Sequence, residues 1–582
     1  MAHPLFRRKP ITEILQDKSD AEAHQHGLSR VLNVRDLTFF GIAAIIGAGS
    51  FSSLGSAVYT GGPGVVILFI ICGIACAFTA FCYAEFASRI PVAGSAYTYA
   101  YASFGELFAW VIGWALIMEY SIGNIYVAFS WSDYFTSFLS KLNVHVPDYL
   151  ATSYVEAKAA ALEGSANTDH VNAWNSAPIV GGLKVILDLP AIIINLLITI
   201  LVYRGIKESR NFSNAMVVLK LAIIFLVIAV GAAYIDTDNW RPINDVGVRS
   251  FMPNGFGGVM LAVSGVFFAY IGFDAVSVLA EESKHPQTDL PKGMIYSLVI
   301  CTVVYILLSL VLTGVMHYKG FEGVGDPLSK IFEVKGVGWM QFVVSLSAVI
   351  AMTSVLLVFQ MGQPRIWMSM SRDGLLPNAF QKIHPRYKTP SISTIITGLL
   401  VGLPLLFTDR NFVLDFTSIG TLFAFVLVCG GVLLIPRRSD RPAGRFSMPA
   451  ISGKVFYPLI IFGAIALILI LSDRYFSELL NGDFTDYSEA ANSQNYLFHT
   501  PAVKIATIIF WVMCIMLAIL SLFKNFLLIP LLGLTTCSYL LTGMSGSNWK
   551  WFLIWFGIGL VFYFLYGYRK SKLNLPDAPT KA

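Results

Sequence analysis

The sequence predicts an all-α polytopic membrane protein of about fourteen transmembrane helices, two five-helix halves followed by four more. Three observations predict it. The 582 residues are 56% apolar and only 13% charged, against roughly 25% charged in a soluble chain, and the mean hydropathy is +0.67. Apolar runs of spanning length, about 20 residues, recur fourteen times along the chain. Two of them, the first and the sixth, are interrupted at matching places, the sequence signature of an inverted repeat with a site near the membrane midplane.

The runs fall at about 37–59, 64–88, 105–137, 186–204, 213–235, 256–283, 293–316, 338–367, 391–408, 412–436, 455–472, 502–523, 526–544 and 549–568. They divide the chain into a tail at 1–35, a core at 36–438, four additional helices at 439–568 and a second tail at 569–582. Within the core, the two repeats cover about 36–235 and 256–438. The first 35 residues hold no apolar run, so no cleaved signal peptide is expected. An even number of spans puts both tails on one side. Lys and Arg concentrate in the short loops on that side, which places both termini in the cytoplasm and 139–185 outside, as expected for a cell membrane protein. The 139–185 loop carries no strong element signal and is expected either to pack over the outer mouth or to move.

Span 1 is centred on Gly41–Phe51, GIAAIIGAGSF. Glycine weakens a helix interior by roughly 1 kcal/mol relative to alanine, and a break is expected at Gly47-Ala48-Gly49. Lipid offers no hydrogen bonds, so broken backbone at membrane depth persists only where it is packed in protein or lines a cavity. Amides freed at a half-helix N-terminus attract a carboxylate. The alternative is a small-residue packing face of the GxxxG kind. Span 6 is interrupted at Phe267–Asp274, where Gly265 and Gly272 bracket bulky residues.

Ionisable residues inside spans are costly, roughly 2.5–3.5 kcal/mol on the lenient scale, so the few present are informative. Glu119 lies near the middle of span 3, Lys220 lies deep in span 5, and Asp274 sits just past the span 6 break. Each also has a structural reading: Glu119 bonded to a neighbouring helix, Asp274 as a cap, Lys220 snorkelling. Glu85, Glu281, Glu282 and Asp415 lie near span ends and read as interfacial. The nine histidines all lie outside the spans, and the seven cysteines all lie within them. His24 and His26 are expected to be solvated, and the cysteines to be reduced core residues. No HExxH, P-loop or G-x-S-x-G motif is present, so neither an enzyme nor a metal or cofactor is expected. The small, dispersed net charge of +5 gives no reason to expect nucleic acid.

GIAAIIGAGSF in span 1, CYAEFASRIPVAGSAYTYAYASFGEL at the exit of span 2, FFAYIGFDAVSVLAEESKHPQTDLP in span 6 and GQPRIWMSMSRDGLLP at the end of span 8 together resemble the cationic amino acid transporter branch of the amino acid–polyamine–organocation superfamily. The resemblance covers about Asp36 to Arg438, and the fourteen-span plan extends it. It implies a leucine-transporter-like 5+5 inverted repeat. It implies that amides of Gly47, Ala48 and Gly49 meet a substrate α-carboxylate. Carbonyls of Ile45, Phe268, Ala269 and Ile271 would meet its α-ammonium, and Phe268 would lie over the site as an aromatic lid. Glu119, in Met118-Glu119-Tyr120, matches the family's motif acid. Lys220 matches a lysine that proton-coupled members hold where related transporters hold sodium. Gly272 and Asp274 belong to the span 6 break. Asn124, Ile125 and Tyr126 stand where the family tends to small residues, at one edge of the pocket.

The expected function is proton-coupled symport of L-amino acids by alternating access. The expected partners are an L-amino acid, a proton and the lipid bilayer. Substitution of small residues by Asn124, Ile125 and Tyr126 shifts the expected preference toward neutral, small to medium side chains. Three alternatives share the motifs: an exchanger, a sodium symporter with Thr353 and Ser354 as ligands, and a membrane receptor that binds amino acids without moving them.

Overall fold

The computed structural model describes residues 7–9, 32–90, 95–163, 168–205, 210–243, 247–280, 283–387, 389–434, 446–485, 498 and 500–574. His24, His26, Glu281 and Glu282 lie outside them. Each of the fourteen apolar runs is occupied by helix. Span 1 comprises Val34–Ile45 and Leu54–Gly61 about an interruption. Spans 2 to 5 are Val65–Arg89, Glu106–Lys141, Leu189–Arg204 and Arg210–Ala232. Span 6 runs from Gly255 to Leu279 in pieces, with a 45° bend between Gly255–Leu261 and Val263–Leu279. Spans 7 to 10 are Pro286–Val315, Gly338–Arg372, Ser391–Gly402 and Arg410–Leu434, and spans 11 to 14 are Gly453–Leu471, Pro501–Phe523, Leu528–Thr542 and Gly546–Phe562. The fold is all-α, with one two-stranded hairpin, Ile179–Val180 with Leu183–Lys184, among the described residues.

Local chemistry sets the ends. Asn33 accepts from the amides of Arg35 and Asp36 while Asp36 returns a bond to the Asn33 amide, a capping box that starts span 1. Asp188 caps span 4 through the Ala191 amide, with Pro190 in the first turn. Span 3 packs along span 8 and span 10, and span 7 packs along spans 1 and 2. The two broken spans lie inside this cage, where Ile45, Ile46, Phe51, Phe267 and Ala269 are all buried. Spans 11, 12 and 14 keep many large apolar side chains exposed, among them Leu459, Ile470, Ile509 and Leu553, as lipid-facing helices do.

Several elements were not legible as spans. The 139–185 loop is largely ordered, with helices at Tyr154–Glu163 and Thr168–Ser176 ahead of the hairpin. A short helix, Ser95–Ser103, lies between spans 2 and 3, and an amphipathic one, Asp473–Leu480, follows span 11.

The end of the bundle opposite the 139–185 loop is tied by buried Glu106. Its carboxylate accepts from the Tyr101, Tyr563 and Ser571 hydroxyls at 3.2, 3.1 and 2.5 Å, with the Arg7 guanidinium 3.8 Å away. Lys9 pairs with Asp373 at 2.8 Å, and the Arg7 guanidinium donates to the Leu573 carbonyl. Removing an acid that satisfies buried partners leaves them unpaired, which costs about 3 kcal/mol. Glu106→Ala is therefore expected to lower the unfolding midpoint in detergent clearly, and Glu106→Gln to lower it less, since an amide still accepts. Equal midpoints for Glu106→Ala and the parent would refute the tie.

Candidate functional site

The first half of span 1 ends at Ile45, and Ile46 is extended, φ −79° and ψ 98°. The chain resumes as one π-helical turn, Gly49–Ser53, a form that recurs at functional sites because it frees backbone groups. The first bonded amides of the second half are Ser50 and Phe51, which both donate to the Gly47 carbonyl at 3.1 Å. Among the described hydrogen bonds, the amides of Gly47, Ala48 and Gly49 donate to none. Three buried N–H groups at a half-helix N-terminus form an anion cradle.

Close packing fixes the glycines. A Cβ on Gly49 would lie 2.4 Å from the Ala269 Cα, and one on Gly47 would lie 2.5 Å from the Val355 Cγ2. The breaks in spans 1 and 6 therefore touch at Gly49 and Ala269. The Ser53 hydroxyl clamps the pair, donating toward the carbonyls of Gly49 at 2.9 Å and Gly265 at 2.8 Å. In span 6, regular helix stops at Phe268, and Gly272 takes the left-handed φ of +114° that a side chain would resist. The Phe268 carbonyl accepts from the Ile271 amide at 3.2 Å, whereas no described hydrogen bond ends on the carbonyls of Ala269 or Ile271. The Ile45 carbonyl also lies at the break. It accepts from the Tyr305 hydroxyl at 3.0 Å, because span 7 packs directly on the first half of span 1.

Over the break, Tyr126 of span 3 meets Phe268 edge to face with ring centres 4.6 Å apart, and the Tyr126 hydroxyl lies 3.5 Å from Ser52 Oγ. Phe268, expected alone over the site, is thus packed against Tyr126 as an aromatic pair. Asn124, two residues earlier and so on nearly the opposite face of span 3, is fully buried, and neither atom of its amide has a partner among the described residues. A buried amide without a protein partner is costly.

The ionisable residues separate into two places. Lys220 sits midway along span 5, 2% exposed, and its Nζ donates to the Ala43 and Ile46 carbonyls at 3.4 Å each and to Ser354 Oγ at 2.5 Å. It does not snorkel. Thr353, which the sodium-symport alternative paired with Ser354 as a cation ligand, faces the other way. It accepts from the Trp131 indole at 2.9 Å and donates to the Val349 carbonyl, since adjacent helical residues point about 100° apart. Glu119 and Asp274 form the second place. Both are buried, and their charges lie close enough to interact. Among the described residues, neither the Glu119 Oε2 nor either Asp274 oxygen has a partner in close hydrogen-bond geometry. The backbone amides of Gly272, Asp274 and Ala275 surround the Asp274 carboxylate at the start of the second half of span 6, the surroundings of a cap, although not in close hydrogen-bond geometry. No group of three or more His, Cys, Asp or Glu among the described residues is placed to hold a metal ion.

A family model for amino acid permeases matches residues 32–473. A branched-chain amino acid permease of Bacillus subtilis is 36% identical over 99% of this chain and all of its own length. A methylthioribose transporter of the same organism is 35% identical over 98% of this chain and 99% of its own. A vacuolar cationic amino acid transporter of Arabidopsis thaliana is 35% identical over 74% of this chain and 67% of its own. With its apolar helices, the chain belongs to the amino acid permease family of the amino acid–polyamine–organocation superfamily, a multi-pass membrane transporter and not an enzyme.

Proposed function

We propose that this permease is a proton-coupled symporter of neutral L-amino acids in the cell membrane, with both termini cytoplasmic. Residues 36–438 form its transporter core, and the four helices to 568 form an accessory layer. The observation that carries the coupling is the Lys220 ammonium on two carbonyls of the broken first span and on Ser354. A cation is held there by the protein itself, which favours a proton over sodium, as does the departure of Thr353. The carbonyls end a half-helix, the negative pole of its dipole, so protonation of Lys220 secures the break and loss of the proton releases it.

The substrate's α-carboxylate fits the Gly47–Gly49 amides, and its α-ammonium fits the carbonyls of Ala269 and Ile271. Beyond these shared groups the pocket edge is Asn124, Ile125 and Tyr126, which offer volume and a neutral amide but no carboxylate to pair with a guanidinium. The branched-chain permease among the relatives points the same way. A second reading rests on the methylthioribose relative, similar over the same length: a solute recognised without an α-amino acid group. Uptake into proteoliposomes, competed by each of twenty unlabelled amino acids and by methylthioribose, separates them. The expected result is strong competition by leucine and alanine and little by arginine or methylthioribose. Competition by methylthioribose alone, or by arginine with none from alanine, overturns it. Counterflow without a pH gradient would identify an exchanger, sodium-dependent uptake a sodium symporter, and binding without uptake a receptor.

Orientation has its own check. Ser176 is exposed at the end of a helix in the 139–185 loop. Cysteine at this position is expected to react with an impermeant maleimide in intact cells; reaction only after lysis inverts the topology.

A further inference from the structure

The π-helical turn Gly49–Ser53 is held from two sides. On the span 6 side, the Ser53 hydroxyl reaches the carbonyls of Gly49 and Gly265. On the other side stands Tyr134 of span 3, which is wholly buried. Its hydroxyl donates to the Phe51 carbonyl at 2.5 Å, and its ring meets the Phe51 ring edge to face with centres 6.0 Å apart. The Leu328 amide, in the short helix Pro327–Val334 between spans 7 and 8, lies beside the same phenolic oxygen. That helix is packed onto the second half of span 1, where a Cβ on Gly55 would lie 3.0 Å from the Pro327 side chain. One hydroxyl therefore joins span 3, the broken first span and the loop between spans 7 and 8.

Phe51 carries this junction to the break. Its amide donates to the Gly47 carbonyl at 3.1 Å, while its own carbonyl is taken by Tyr134. The carbonyls of Gly47 and Gly49 are thus engaged inside the turn, whereas the amides of Gly47, Ala48 and Gly49 donate to none of the described hydrogen bonds. The π form is rare, and a buried carbonyl without a donor is costly. A turn that lost the hydroxyl would tighten toward the commoner α form to satisfy Phe51 elsewhere, and the cradle would move with it. From this we infer that Tyr134 is a positioning residue for substrate binding. Acting through the Phe51 carbonyl, it holds the π turn in the shape that keeps the three cradle amides unpaired and in place for an α-carboxylate. The inference rests on the function proposed above. It gives span 3 a part at the α-group end of the site, about two turns beyond the pocket edge at Tyr126.

The test compares Tyr134→Phe with the parent in equilibrium binding of radiolabelled L-leucine and L-alanine to the purified full-length protein, and in uptake by the same preparations in liposomes. Phenylalanine keeps the ring against Phe51 and removes only the hydroxyl. Loss of that one buried hydrogen bond is expected to raise Kd and KM for leucine about fivefold. Alanine is expected to weaken by the same factor, because both share the α-carboxylate. The maximal rate per folded protein and accumulation under a proton gradient are expected to match the parent, since Lys220 is untouched. Tyr457→Phe is the matched control. Tyr457 is equally buried in span 11 of the accessory layer, and its hydroxyl shares a hydrogen bond with Thr535 Oγ1 at 2.6 Å. It is expected to lower the unfolding midpoint in detergent about as much as Tyr134→Phe does and to leave Kd unchanged. A role in stability alone gives Tyr134→Phe the control's pattern, with less folded protein, lower total uptake and an unchanged Kd in the protein that folds. That result overturns the assignment, as does a Kd raised for leucine but not for alanine. Failure of Tyr134→Phe to fold overturns it too, because the hydroxyl then serves the fold and not the site. Absence of leucine binding to the parent protein instead refutes the proposed function.

Discussion

Gly49→Ala is expected to lower uptake of every substrate by at least about tenfold while the protein still reaches the membrane. The added Cβ would sit 2.4 Å from the Ala269 Cα and 3.1 Å from its amide nitrogen, so backbone must separate from backbone. Overpacking of this kind costs about 1–3 kcal/mol, and each 1.4 kcal/mol is about tenfold in an equilibrium. The strain falls on the amides and carbonyls proposed to bind the α-groups, which all amino acids share, so the loss is expected to be uniform across them. Gly47→Ala provides the contrast. Its Cβ would meet one methyl of Val355 at 2.5 Å, with the remaining side-chain atoms at 3.4 and 3.5 Å. Truncating that side chain makes room, and Gly47→Ala with Val355→Ala is expected to recover uptake that Gly47→Ala alone loses. No side-chain truncation relieves Gly49→Ala, because the obstacle is main chain. Loss confined to some amino acids in Gly49→Ala would place this stretch in the side-chain pocket instead. Recovery by Ala269→Gly would show that the contact is not the main-chain one described.

The spans were legible because a membrane imposes length and apolarity on every segment that crosses it, and the two breaks were legible because glycine stands where a lipid-exposed helix would avoid it. Gly47–Gly49 and Gly272 were found on that ground alone. The 139–185 loop was not, since its helices are short, polar and held by long-range contacts such as Glu156 with the Arg410 amide, which no local periodicity reports. Tyr126 illustrates the same limit. Its departure from small family residues was visible, but its place against Phe268 depends on how span 3 crosses span 6. Thr353 points away from the role that the sodium alternative gave it, and the Ile45 carbonyl accepts a hydroxyl that the sequence did not suggest. Position along a span can be read from sequence, but direction around it depends on neighbours, here Tyr305 and Trp131. Lys220 was legible in both respects, since a lone deep amine has few acceptors to choose from, and it reaches carbonyls of span 1 at Ala43 and Ile46.

Lys220→Ala is expected to abolish accumulation driven by an inward proton gradient and to leave leucine binding largely intact. The ammonium is proposed to bridge the broken first span and Ser354 of span 8, and so to join the moving bundle to its surroundings. Protonated, it offsets the partial negative charge at the end of the first half-helix; without the proton, the two carbonyls lose their cation and the bundle can shift. Of the proposed α-carboxylate cradle at Gly47–Gly49, only the Gly47 amide shares a peptide unit with a carbonyl that Lys220 holds, that of Ile46, so binding is expected to weaken far less than coupling. Alanine also opens a cavity, which by itself destabilises a packed interior. Lys220→Met is the control, because it keeps most of the volume and removes the titratable group. Both variants are expected to equilibrate leucine down its gradient and to ignore pH. A structural lysine gives the opposite pattern: weaker binding and a lower unfolding midpoint in both variants, with gradient-driven accumulation preserved in whatever protein survives. Accumulation by Lys220→Met under a proton gradient would remove Lys220 as the carrier. It would move the assignment to Glu119, whose unpaired Oε2 and buried neighbour Asp274 make it the next group to change. Glu119→Gln would then be expected to uncouple, and in the present proposal it leaves pH-driven accumulation in place.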